Sequence, residues 1–175
     1  MKAKHLTMAV FLLLTALCNG QMSNQDKPGS KWVKFDWLIG TWMGEGSGQP
    51  GQGGGLFTFA YDLGSNVIVR KNHTEFPATA TRPASVHDDL LIIYSDPGSA
   101  EPKGIYFDNE GHTINYSVSF LDKSVVFTSL KVGKNPAFRL TYTPLEKDKV
   151  DISFDMSQDG VKFVTYLEGK SVRTK

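Results

Sequence analysis

The stretch Phe35-Asp36-Trp37-Leu38-Ile39-Gly40-Thr41-Trp42-Met43-Gly44-Glu45-Gly46 decides the fold. Bulky apolar residues crowd its first half. Gly40 breaks them off, and a Gly-x-Trp then opens a strand carrying Gly44 and Gly46. Trp32, Phe35 and Ile39 recur at helical spacing, which predicts a turn or two of α or 3₁₀ helix with Lys34 and Asp36 facing water. Glycine at position 40 lets that turn stop and the chain enter a strand sharply. The segment reads as a plug followed by the first stave of a sheet.

Downstream the hydrophobic period is two. Strands are expected from Trp42 and over residues 56–61, 67–75, 90–94, 104–107, 112–120, 125–130, 138–143, 150–156 and 162–168. Between them lie turn residues such as Asp96-Pro97-Gly98, Asp108 to Gly111 and Gly133 to Pro136. The Gly-rich run 46–55 lacks the Lys-Ser/Thr and following helix of a phosphate-binding loop and reads as a hairpin loop. About ten short antiparallel strands with almost no helix allow a sandwich or a barrel. The short connections favour an all-β, up-and-down antiparallel barrel over residues 31–175, because a closed meander has no exposed edges.

Several strands sort into a dry face and a wet one. Ile114, Tyr116, Val118 and Phe120 oppose Thr113, Asn115, Ser117 and Ser119; Phe138, Leu140 and Tyr142 oppose Arg139, Thr141 and Thr143; Val150, Ile152, Phe154 and Met156 oppose Asp151, Ser153 and Asp155. A barrel of about ten strands is wider than an eight-stranded one, so a lumen cavity is expected, lined by Tyr116, Phe138, Tyr142 and Phe154.

Two places break the sorting. On strand 67–75 one face carries Ile68, Arg70, Asn72 and Thr74, and the other carries Val67, Val69, Lys71, His73 and Glu75. Either face brings polar groups inward, and a buried charge needs a partner or a ligand. These residues either sit at the mouth and pair with one another or anchor the polar head of an amphipathic ligand, with Arg70 or Lys71 meeting a carboxylate and Arg70 or His73 orienting the head. His112 shares the parity of Ile114 and Tyr116 and so is expected to point inward, as a rim histidine or a ligand contact. No two histidines have metal-ligand spacing.

Length and composition set the outer limits. The chain has 175 residues, enough for one domain with a substantial core. Its net charge is +1, with no basic patch that would point to nucleic acid. Residues 1–20 read as an export signal: Lys2, Lys4 and His5, then a short apolar run over 8–17, too short to span a bilayer, then small residues. Residues 21–30 read as a polar leader. Cys18 is the single cysteine, so no disulfide forms within the chain. A lipid anchor on Cys18 is the alternative to simple secretion or periplasmic release, but Leu17 before it suits that processing poorly. Neither Gly-x-Ser-x-Gly nor His-Glu-x-x-His occurs, and no acid pair stands out, so the reading is not an enzyme.

At Gly40-Thr41-Trp42 the chain resembles the calycins, the lipocalins, fatty-acid-binding proteins and their relatives. The longer string from Leu38 to Gly46 is similar to nitrobindin-like proteins and to secreted bacterial proteins of unknown function with the same barrel. The resemblance implies that Trp42 closes the barrel floor and that Arg173 covers it. It also raises haem as a cofactor, since some nitrobindin-like members bind it through a histidine near the C-terminus. This chain has no histidine after His112, and Tyr166 is the one residue in the corresponding stretch with a suitable oxygen. The leading expectation is a barrel binding a small hydrophobic or amphipathic molecule without a resident cofactor. A haem-binding protein and a filled structural barrel are the alternatives.

Overall fold

The computed structural model describes residues 30–46 and 53–174. The expected export signal, Cys18 and nearly all of the leader lie outside the described residues, as does most of the Gly-rich run. A 3₁₀ helix, Ser30–Leu38, leads into ten strands: β1 (Gly40–Glu45), β2 (Gly54–Asp62), β3 (Val67–Phe76), β4 (Ser85–Tyr94), β5 (Lys103–Asp108), β6 (Thr113–Leu121), β7 (Ser124–Ser129), β8 (Ala137–Glu146), β9 (Lys149–Ser157) and β10 (Val164–Arg173). Each strand pairs antiparallel with its neighbours in sequence, and β1 pairs with β10 to close the barrel. Closure satisfies the strand backbones on both sides and leaves no free edge.

The plug helix shows why its geometry matters. At three residues per turn, side chains at i, i+3 and i+6 eclipse. Trp32, Phe35 and Leu38 therefore form the buried stripe, where a 3.6-residue period had pointed to Ile39. Phe35 packs edge-on against Phe120 of β6, 5.3 Å between centroids, and seals that end of the barrel. Trp32 Nε1 donates to the Ser65 carbonyl in the β2–β3 turn at 2.8 Å.

Arg173 ties the plug to the wall. Its Nη1 and Nη2 donate to the carbonyls of Ile39 and Trp37, each at 2.5 Å, where a helix end leaves acceptors unpaired. Its guanidinium lies 4.2 Å from the centroid of the Trp42 ring, and Nε reaches Asp148 at 3.2 Å. Trp42 Nε1 in turn donates to the Leu38 carbonyl at 2.8 Å. Gly40 sits beneath this with a φ of 132°, and a Cβ there would come 2.5 Å from Arg173 Nη1.

Two strands run well past their expected limits. β4 begins at Ser85 rather than residue 90, and β10 continues to Arg173 rather than stopping at 168. In β4 the extra inward positions are polar, His87 and Asp89. In β10 they are Gly169 and Ser171, which are small, and Arg173, which is charged. None of these produces an apolar alternation, so period counting misses them.

Candidate functional site

The register sorts the lumen into three levels. At the plug end lie Ile68, Ile93, Val118, Val125 and Val150, all buried. The waist is filled with rings. Phe57 stacks on Trp42 at 6.2 Å, and Tyr142 meets Phe57, Phe59 and Phe127 at 5.8, 5.3 and 6.2 Å. The expected wide lumen is thus occupied over its lower two levels, because large aromatics from β1, β2, β7 and β8 reach across to one another. Tyr116 and Tyr142 of the expected lining belong to this packed waist.

At the mouth, the end away from the plug, inward side chains such as Asn72, His87, Phe138 and Phe154 are only half-buried, and the walls differ. On β3 to β5 the wall is polar. Asn72, Asp89 and Asp108 form one row across the register and all face inward. One position deeper, Arg70 is buried and pairs with Asp89 through Nη1. Asn72 Nδ2 donates to Asp89 Oδ2 at 3.0 Å, and His87 Nε2 lies 3.4 Å from the same oxygen. His87 Nε2 also meets the Tyr106 hydroxyl at 3.1 Å, and Tyr106 donates to Asp108 Oδ2 at 3.3 Å. Two carboxylates in register would repel; here the His87 ring and Tyr106 hydroxyl lie between them. Burial, with Asp89 and Asp108 nearby, pushes the Tyr106 phenol well above its usual range, so it acts as a donor.

The opposite wall is apolar. Phe138 and Phe154 stack at 5.5 Å with planes 10° apart, and Tyr166 meets Phe154 edge-on at 6.4 Å. Tyr166 is the extra residue of a bulge between Thr165 and Leu167. Next to them Gly169 is paired with Ile152, and a Cβ at Gly169 would meet no atom within 4 Å. That wall has room beside its aromatic face.

Among the described residues, two buried polar atoms at the waist, Arg70 Nε and the Tyr142 hydroxyl, make no well-formed hydrogen bond, although the two side chains lie against each other and interact. Burial pushes the Tyr142 phenol up to about 12 despite the Arg70 charge beside it. Arg70 itself lies against the Phe57 and Tyr142 rings, 5.5 and 6.0 Å from their centroids.

The structure separates the sequence candidates. Arg70 faces inward; Lys71 and His73, on the other face of β3, point outward. His73 Nδ1 lies 2.7 Å from Asp88 Oδ1, and Nε2 3.3 Å from Glu75. His112 does not point inward. It precedes β6, after Gly111 with a φ of 91°, and its exposed ring lies 2.9 Å from Asp108 Oδ2. Arg70, His73 and His112 therefore do not converge on one head group. Asn72 lies on the inward face with Arg70, one of the two faces the sequence left open; Asp89, Asp108, His87 and Tyr106 are the lumen residues that sequence reasoning missed, although Asp89 and His87 share parity with Leu91 and Ile93.

The rim also titrates. Hydrogen bonds to Asp88 and Glu75 raise the His73 pKa above its usual value. A raised histidine contributes stability that is complete below about 6.5 and is lost as pH rises through the raised value. In NMR titration His73 should therefore show a pKa above about 6.5 that Asp88→Asn lowers. An unshifted His73 would remove the pair from the rim. Asp108 moves the other way. Burial alone would raise its carboxyl, but the His112 backbone N–H and ring and the Glu110 N–H outweigh it and hold it below the usual range.

A groove of about 620 Å³ lies on the outer wall among Leu56, Thr58, Lys71, His73, Leu90 and Phe107. A second, of about 610 Å³, lies beside Phe76 and Pro77 at the β3–β4 loop. Both are wide open and lined chiefly from outside the barrel, so they are surface depressions rather than ligand chambers. Among the described residues no helix is long and apolar enough to cross a membrane, and no group of three or more His, Cys, Asp or Glu has a metal-holding arrangement.

No protein-family model and no curated protein matches the chain. Among solved structures, the S-type phycobiliprotein lyase CPES from Guillardia theta is similar in chain path, with a TM-score of 0.49 and 11% identity over 85% of this chain and 99% of that one. The likeness carries no residue role across.

Proposed function

We propose that the barrel holds a small amphipathic molecule at its mouth, with the body against Phe138, Phe154 and Gly169 and the polar end over Asn72 and the Arg70–Asp89 pair. The observation that carries this is the buried Arg70–Tyr142 contact, in which Arg70 Nε and Tyr142 OH make no well-formed hydrogen bond among the described residues, below a mouth with one aromatic wall and one polar wall. A buried polar group without a partner costs about 1–3 kcal/mol, and a ligand acceptor at Arg70 Nε would recover part of that cost. The polar end is neutral and offers an acceptor, which Arg70 Nε–H lacks. Arg70 is already neutralised by Asp89, and Asp108 adds a further negative charge, so a carboxylate head would meet net repulsion. Export of the mature chain, and kinship with the nitrobindin-like branch of the calycins, belong to the same proposal.

Native mass spectrometry of the protein with lipid extract tests it. A stoichiometric adduct is expected, and Gly169→Leu should abolish it by filling the open side of the wall without unfolding the barrel. Tyr142→Phe should leave stability within about 1 kcal/mol of wild type and weaken the adduct about five- to tenfold. No adduct on the wild-type chain would sink the reading. A filled structural barrel would then be favoured by the ring-packed waist. The haem alternative needs an axial ligand, and both nitrogens of His87 are engaged while Tyr166 is 72% exposed.

A further inference from the structure

One lip of the mouth is apolar and basic, and we propose that it docks the open end of the barrel onto an anionic lipid surface. The lip is made by the β7–β8 and β9–β10 loops. Leu130, Val132, Val161 and Val164 stand 79, 68, 82 and 62% exposed, beside exposed Tyr166. Lys131, Lys134 and Lys162 are interleaved with them, all exposed. The loops touch: a Cβ on Gly160 would lie 3.2 Å from the Lys131 Cβ, so the tips form one surface. Such a cluster of aliphatic side chains is unusual for a solvated surface and marks an interaction site. Convex apolar tips ringed by lysines fit a fluid, negatively charged interface, where the aliphatics enter the headgroup layer, a tyrosine sits at its level and the ammonium groups meet phosphates.

The neighbouring charges set an orientation. Asp159 is the acid within the lip, and its Oδ1 accepts hydrogen bonds from Ser157 Oγ and from the N–H groups of Val161 and Lys162, each at 2.8 Å. Arg139 is committed to Asp155 at 2.9 Å and to the Phe163 ring. Across the mouth, Glu75, Asp88, Asp108 and Glu110 make an acidic rim that an anionic surface repels. The barrel therefore tilts lip-down, with the aromatic wall nearest the lipid. Docking does not require that the mouth hold a ligand, so the two proposals fail separately.

Vesicle sedimentation of the full chain tests it, using phosphatidylcholine vesicles with and without about one quarter phosphatidylglycerol at about 0.1 M salt. The apolar N-terminal run is common to every chain compared, so differences report the lip. Lys131→Gln/Lys134→Gln/Lys162→Gln should lower partition onto the anionic vesicles about 100-fold. Val132→Ser/Val161→Ser should lower it about tenfold. A tryptophan reporter at Val161→Trp should be quenched by brominated lipid, and one at Leu121→Trp, at the plug end, should not. Equal partition of wild type and the lysine variant overturns the proposal, as does equal quenching of both reporters. Failure of the wild type to bind anionic vesicles also overturns it and leaves the lip to a protein partner.

Discussion

Asp89→Ala should cost the barrel about 3–5 kcal/mol. The substitution strands Arg70, which is 8% exposed, with its Nε already short of a well-formed hydrogen bond and its remaining neighbours mostly aromatic faces. It also removes one of two acceptors for Asn72 and one of three contacts of His87. An isolated guanidinium at that depth cannot deprotonate and is largely cut off from water, so most of the desolvation cost falls on the folded state. Replacing both partners, as Arg70→Met/Asp89→Leu, should recover most of that loss or leave the barrel more stable, since apolar pairs of similar volume match buried ion pairs. Urea denaturation of the two variants beside wild type makes the comparison. A loss under about 1 kcal/mol for Asp89→Ala would show that the pair is solvated and not structural.

The second large effect is expected at the other end. Arg173→Ala should cost about 3–4 kcal/mol, from two charge-assisted hydrogen bonds to plug carbonyls and the stacking on Trp42. Arg173→Lys should recover less than half, because an ammonium cannot present the planar fork that spans two carbonyls while lying flat on an indole. Tryptophan emission is the readout: Trp32, Trp37 and Trp42 all lie in or beside the plug, so its release should shift their emission to the red. Gly40→Ala should act through the same contact, since its Cβ would displace Arg173 and strain a positive φ. Lysine performing as well as arginine would reduce the contact to a simple charge.

How much of this was legible depends on whether a residue advertises its surroundings. The alternating runs of β6, β8 and β9 do, because each has an apolar face that only burial explains. The plug's phase was misleading by one residue, since Ile39 fits a period of 3.6 and Leu38 a period of 3.0. The first half of β4 was hidden. His87-Asp88-Asp89 looks like solvated loop until Arg70 and Tyr106 are known to lie opposite. The last third of β10 was hidden because glycine and serine carry no hydrophobic signal on the inward side.

The closed antiparallel barrel with a helical plug was written in local pattern, where a period of two and short turns leave few alternatives. What occupies each level of the lumen was not, because it depends on which side chains from distant strands meet across the axis. The register that sets Asn72, Asp89 and Asp108 in a row, and the reach of Trp42, Phe57 and Tyr142 into one packed waist, are properties of the closed tube. Long-range contact of this kind leaves no trace in a strand's own sequence, which is why the polar wall and the filled waist came only from the tertiary structure.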